Sequence, residues 1–230
     1  MAYMESSTEK CDLADLAMNY KVVLFDASAI IQPFVMKTRG LTTNFDHEKK
    51  MLEYNGRKNL YTYIGALLHQ GRPIYITSKI SKELGEELPF NPNRILKKRK
   101  KISDKKFIRR IRALKEDVQI KDEILSLFEE KGRILELSRR EQDSYRGFEI
   151  NYSHLIKRYG LSDADFDFLI SGASVASKRG KTALVSNDGG ISDAWAEIMK
   201  RSSLPSGSLD FFVSNTFKEF IYLSLPSYYS

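Results

Sequence analysis

Aspartates stand at the ends of apolar runs in this chain. Val22-Val23-Leu24-Phe25 leads into Asp26, and Thr182-Ala183-Leu184-Val185 leads through Ser186-Asn187 to Asp188. A third acidic set lies in Leu161-Ser162-Asp163-Ala164-Asp165-Phe166-Asp167. Carboxylates brought close together repel unless protons or cations intervene. A donor set made of oxygen alone suits a hard cation, Mg²⁺ or Mn²⁺. The expected metal ligands are Asp26, Asp165, Asp188, Asp167, Asp163 and Asp193, and Glu83 is a further candidate for the same edge. Plainer readings stand beside this one. Asp26 can cap the helix that follows it, acids are well tolerated at helix N-termini, and Asn187-Asp188-Gly189-Gly190 can be a simple turn.

The elements that must position these residues follow from periodicity. Short apolar runs bounded by polar residues suit strands buried on both faces. They place strands at 21–28, 73–77, 182–186 and 209–213. Leu60, Tyr63, Ile64, Leu67 and Leu68 recur at helical spacing, so 57–70 is an amphipathic helix. Strand, helix and strand in that order suggest a right-handed parallel crossover. Ser78 opens a helix with Ile80, Leu84 and Leu88 on its apolar side, and Glu83 lies within two turns of the preceding strand end. Residues 36–55 read as a loop, 13–17 as a short helix or tail, and 115–132 and 138–159 as helices. Ser162 with Asp165 resembles a capping box, opening a helix to about residue 179 with Phe166, Leu169, Ile170 and Ala173 inward. Asp163 and Asp167 share one face of it, where their repulsion calls for a counter-charge. Helices at 191–201 and 216–223 complete the pattern. In an open α/β sheet, sites form at the carboxyl ends of the strands, which is where Asp26 and Asp188 fall.

Composition limits the remaining possibilities. The chain has 230 residues, a net charge of +7 and a hydrophobic share of 42%, enough for a globular core. Its single cysteine, Cys11, rules out an internal disulfide framework and a cysteine-based zinc site. The three histidines, His47, His69 and His154, lack metal-binding spacing. No apolar run approaches the roughly 20 residues of a membrane helix, and the first residues do not resemble a signal peptide. A cytoplasmic protein with no membrane partner is expected. The strongest composition shift is basic: Arg94, Lys97, Lys98, Arg99, Lys100, Lys101, Lys105, Lys106, Arg109, Arg110 and Arg112, opposed only by Asp104. That density of one sign favours contact with nucleic-acid phosphates. Three parts result: an N-terminal tail or short helix at 1–20, an α/β domain at 21–93 and 160–230, and a basic helical insertion at 94–159.

The order of the acidic motifs resembles that of the PIN-domain nucleases. The family pattern is an aspartate ending the first strand, a glutamate after the second, a helix opening Leu-Ser-x-Ala-Asp and a strand ending Ser/Thr-x-Asp. Here these read as Leu-Phe-Asp-Ala-Ser at Asp26, Ser-Lys-Glu-Leu at Glu83, Leu-Ser-Asp-Ala-Asp at Asp165 and Val-Ser-Asn-Asp at Asp188. Tyr159-Gly160-Leu161, Asp165-Phe166-Asp167, the stretch Ser186 to Ile191, Ala194-Trp195-Ala196-Glu197 and Asn215-Thr216-Phe217 are also similar to the small protein-only RNase P group. The resemblance implies a three-layer α/β domain with a mostly parallel sheet. It also implies Mg²⁺- or Mn²⁺-dependent hydrolysis of RNA phosphodiesters, with Asp26, Asp165, Asp188 and Glu83 as catalytic residues and precursor tRNA as one candidate substrate. An assembly of identical chains is left open. The rivals are a toxin- or stress-type PIN ribonuclease and a PIN-like module that binds RNA or protein without cutting. A phosphatase-like α/β protein is weaker, because Ser28 stands where such enzymes place a second aspartate.

Overall fold

The computed structural model describes residues 12–31, 62–86 and 122–213. The chain folds around four short strands: β1 (Val22–Phe25), β2 (Ile74–Tyr75), β3 (Thr182–Val185) and β4 (Leu209–Phe212). They form one all-parallel sheet in the order β2-β1-β3-β4. Every residue of β1 and β3 is buried, as their unbroken apolar runs require in a sheet covered on both faces. Register is set by pairs such as Leu24 with Tyr75 and Phe25 with Val185. Each strand is shorter than the range expected for it. β1 stops at Phe25 because Ala27–Ile31 turns directly into a helix, α2. Beyond β2, Ile76 donates to Arg133 O and accepts from Leu135 N, so Ile134 adds a bridge that periodicity did not indicate.

The other helices are α1 (Leu13–Asn19), α3 through 62–69, α4 (Ser78–Glu86), α5 over 122–130, α6 (Arg139–Tyr152), α7 (His154–Tyr159), α8 (Asp163–Arg179) and α9 (Gly189–Arg201). The expected helix at 138–159 is two helices. Ser153 keeps right-handed angles, but there Ile156 N reaches back only three residues, to Ser153 O. α9 begins two residues earlier than its apolar pattern implies, because Asp188 caps it and draws Gly189 and Gly190 into the first turn. Ile124, Phe128, Leu135, Tyr152 and Leu155 lie in the same hydrophobic core as the strands, so 122–159 packs into the sheet's own core.

The middle helix of this arrangement is α8. Residues 166 to 176 are all buried, the mark of a helix enclosed on every side. Gly172 lets it approach β3: a Cβ there would lie 2.5 Å from Leu184 Cδ2. At the far end, Arg179 Nε and Nη2 grip Glu141 of α6 at 2.6 and 2.9 Å. Arg179 Nη2 also donates to Glu136 O. Burial pushes the Glu141 carboxyl up, but the bonds from Arg179 and Ser138 outweigh it and hold the carboxyl below the usual range.

The basic run, Lys97, Lys98, Arg99, Lys100, Lys101, Lys105, Lys106, Arg109 and Arg110 included, lies outside the described residues. So do the 36–55 loop and the 216–223 helix.

Candidate functional site

The chain leaves β1 toward β2 on one side, then returns to place β3 and β4 on the other. The strand order therefore reverses between β1 and β3. In open α/β sheets this switch point, at the carboxyl ends of the strands, is where ligands bind. Asp26 follows β1 there, and Ser186 follows β3.

Asp26 is only 1% exposed. Its Oδ2 accepts from Ser28 N at 3.1 Å, from Ser28 Oγ and from Ser186 Oγ at 2.8 Å. The two hydroxyls lie 3.0 Å apart, Asn187 N donates to Ser28 Oγ, and Asp188 N donates to Ser186 Oγ. One strand end is thus tied to the other through a carboxylate and two serines. Asp26 does cap α2, as its position allows, but only through Oδ2. Oδ1 is buried and has no hydrogen-bond partner among the described residues. Burial first, with a smaller push from the nearby charge of Asp165, raises the carboxyl from its ordinary 3.8 to about 6, against the serine hydrogen bonds that lower it.

Asp165 is brought beside Asp26 by the start of α8. Ser162 Oγ accepts from Asp165 N at 3.1 Å, and Asp165 Oδ2 accepts from Ser162 N at 2.8 Å. This is a capping box in which aspartate does the work usually given to glutamate. Asp188 lies on the same edge, two residues past Ser186. Its Oδ1 accepts from Gly190 N at 2.7 Å and Ile191 N at 3.3 Å. The Cβ position of Gly190 is 3.0 Å from Tyr159 O and 3.7 Å from Leu161, so this cap abuts the turn that enters α8.

The remaining candidates are placed differently. Asp163 is exposed in the first turn of α8, whereas Asp193 is exposed beyond the first turn of α9, because that helix begins two residues earlier than expected. Asp167 turns toward α6, where its Oδ1 accepts from Tyr145 OH at 2.9 Å. Burial first, and then the Asp167 charge, push the Tyr145 hydroxyl well above its ordinary value. Glu83 is half-buried on α4, which packs against α2 and α8. Among the described residues, no three His, Cys, Asp or Glu side chains lie together as a metal cage. Mg²⁺, however, commonly binds through one or two carboxylates and keeps several waters. The buried, unpartnered Oδ1 of Asp26 beside Asp165 has the donor chemistry for that mode.

Two features escaped the sequence reading. The serines that hold Asp26 were visible only as Asp-Ala-Ser and Val-Ser-Asn-Asp, and nothing in that spacing says that they meet. The second feature is Glu197, nearly buried on α9. It accepts from Tyr159 OH at 2.8 Å and pairs with Arg158 at 3.0 Å, Arg201 at 3.1 Å and His154 at 3.3 Å. The Tyr159 bond leads these contacts; together they outweigh burial and hold the Glu197 carboxyl below its ordinary range.

The chain matches no family model, no curated protein and no solved structure. No helix among the described residues is long and apolar enough to cross a membrane.

Proposed function

We propose that this chain is a PIN-like endoribonuclease that hydrolyses RNA phosphodiesters with Mg²⁺ or Mn²⁺. One observation carries the reading. A deeply buried carboxylate with one unpartnered oxygen stands at the switch point of a parallel sheet, beside a second carboxylate. Burying a charged oxygen without a partner is costly, and a divalent ion would supply the missing partner. In this reading Asp26 and Asp165 hold the ion, and Asp188, Asp163, Asp193 and Glu83 lend negative charge or water-mediated contacts around it. A bound ion would lower the pKa of a coordinated water and neutralise charge on the phosphoryl oxygens. Ser28 and Ser186 hold Oδ2 and so leave Oδ1 as the oxygen available to an ion. The three-layer PIN arrangement, and precursor tRNA or another structured RNA as substrate, belong to the same proposal.

The test is incubation of labelled precursor tRNA and unrelated RNAs with Mg²⁺, Mn²⁺ or EDTA. Cleavage is expected with a divalent ion and lost in EDTA, in Asp26→Asn and in Asp188→Asn. Asparagine remains a good helix cap, so the second variant keeps the start of α9. Full activity in either variant, or no hydrolysis with any divalent ion, overturns the proposal. A cleavage profile on total RNA would separate a precursor processor from a toxin. The absence of a three-ligand cage among the described residues favours a second reading, a module that binds RNA without cutting it. RNA binding that persists in EDTA with no hydrolysis would establish that reading.

A further inference from the structure

Glu197 gathers two arginines and a tyrosine hydroxyl around one nearly buried carboxylate. Its side chain is 7% exposed, whereas those of Arg158 and Arg201 are 54% and 55% exposed. Each guanidinium meets the carboxylate through Nη1. No hydrogen bond or ion pair among the described residues engages their Nε and Nη2 donors. Arg158 also lies over the Tyr159 ring, 5.4 Å from its centroid, and the Tyr159 hydroxyl is fixed to the same carboxylate. One buried acid therefore holds two outward guanidinium forks and an aromatic ring in fixed relation, with a net positive charge. Lys157 and Lys200 stand beside them, and all four cations also complete the negative ends of α7 and α9.

This group is linked to the acidic edge through α7 and α9. Tyr159 O abuts Gly190, two residues past Asp188. Glu197 follows Gly190 by seven residues, about 10 Å along the axis at ~1.5 Å per residue. That distance is a few nucleotides of one strand at most, roughly three if the bases stay stacked at ~3.4 Å each. Guanidinium forks match phosphate oxygens, and an aromatic face beside them suits an unpaired base.

We infer that Arg158 and Arg201, positioned by Glu197, grip the phosphates of a single RNA strand a few nucleotides from the Asp26 edge, with Tyr159 beside them. The inference rests on the proposed function only in taking RNA as the ligand.

It is tested on the full chain by fluorescence anisotropy of a labelled single-stranded RNA, in EDTA, over a range of salt. Arg158→Gln with Arg201→Gln should weaken binding. It should also reduce the slope of log affinity against log salt by about 1.4, from ~0.7 per single-strand phosphate contact. Lys21→Gln with Lys181→Gln removes the same charge at the opposite end of the sheet, and its slope should match the wild type. The inference is overturned if both double variants change the slope equally, if the arginine variant leaves it unchanged, or if the wild type binds no RNA. Should the double arginine variant melt early, Arg158→Gln alone should give a slope change of about 0.7, and an unchanged slope again overturns the inference. Loss of binding in the arginine variant with no hydrolysis by the wild type would retain this inference and sink the nuclease. Intact hydrolysis with an unchanged slope would do the reverse.

Discussion

At the residue scale, the account turns on Asp26. Its carboxyl is raised from 3.8 to about 6, so the folded state binds this proton more tightly than the unfolded state. The favourable contribution is therefore complete below pH 3.8 and is lost as pH rises through about 6. Without metal, Asp26→Asn should be more stable than wild type at pH 8, by up to about 3 kcal/mol at ~1.4 kcal/mol per pKa unit. The difference should vanish near pH 4. Chemical denaturation across pH measures it, and a variant less stable at pH 8 would contradict the burial argument. Ser186→Ala should cost about 1–3 kcal/mol at pH 8, because it strips a donor from a buried carboxylate. Asp26 itself was legible from the strand that precedes it. Its two serines were not, because their meeting depends on the pairing of β1 with β3, which spans most of the chain.

At the element scale, α8 was the most legible part of the fold. Ser162, Asp165 and the apolar stripe from Phe166 to Ala173 mark its start and its buried side. Two of its attachments were not legible. Arg179 reads as an ordinary basic residue in a last turn, yet it holds Glu141, which is almost fully buried. Removing one partner of such a pair leaves an uncompensated buried charge. Arg179→Ala should therefore cost about 2–4 kcal/mol near neutral pH. Glu141 is held below its ordinary value, so the stability it gives is present above that value and fades as pH falls. The deficit of the variant should shrink in acid, as urea melts at two pH values would show. Gly172→Ala places a methyl against Leu184 in a closed core. Overpacking of this kind costs ~1–3 kcal/mol and should outweigh the roughly 1 kcal/mol that alanine gains in helix propensity. A net rise in melting temperature would contradict the close approach of α8 to β3.

At the scale of the whole molecule, the all-parallel sheet follows from the strand–helix–strand pattern. Its order does not. Local sequence carries no sign that β3 falls beside β1 rather than β2, and this choice makes the switch point. The packing of one side of 122–159 into the sheet's core was hidden by its polar composition, since the Ile76–Ile134 bridge and the Arg179–Glu141 pair are long-range contacts. If the switch point takes a divalent ion, binding must stabilise the fold as a whole. Saturation at a hundred times the dissociation constant adds about 2.7 kcal/mol. Thermal melts should therefore shift upward with Mn²⁺ for the wild type and stay fixed for Asp26→Asn.

The most direct measurement is Mn²⁺ binding itself, followed by electron paramagnetic resonance of free Mn²⁺ titrated with wild type, Asp26→Asn and Asp165→Asn. The account predicts that the wild type removes Mn²⁺ signal and that both variants remove far less. Equal uptake by wild type and Asp26→Asn would contradict it.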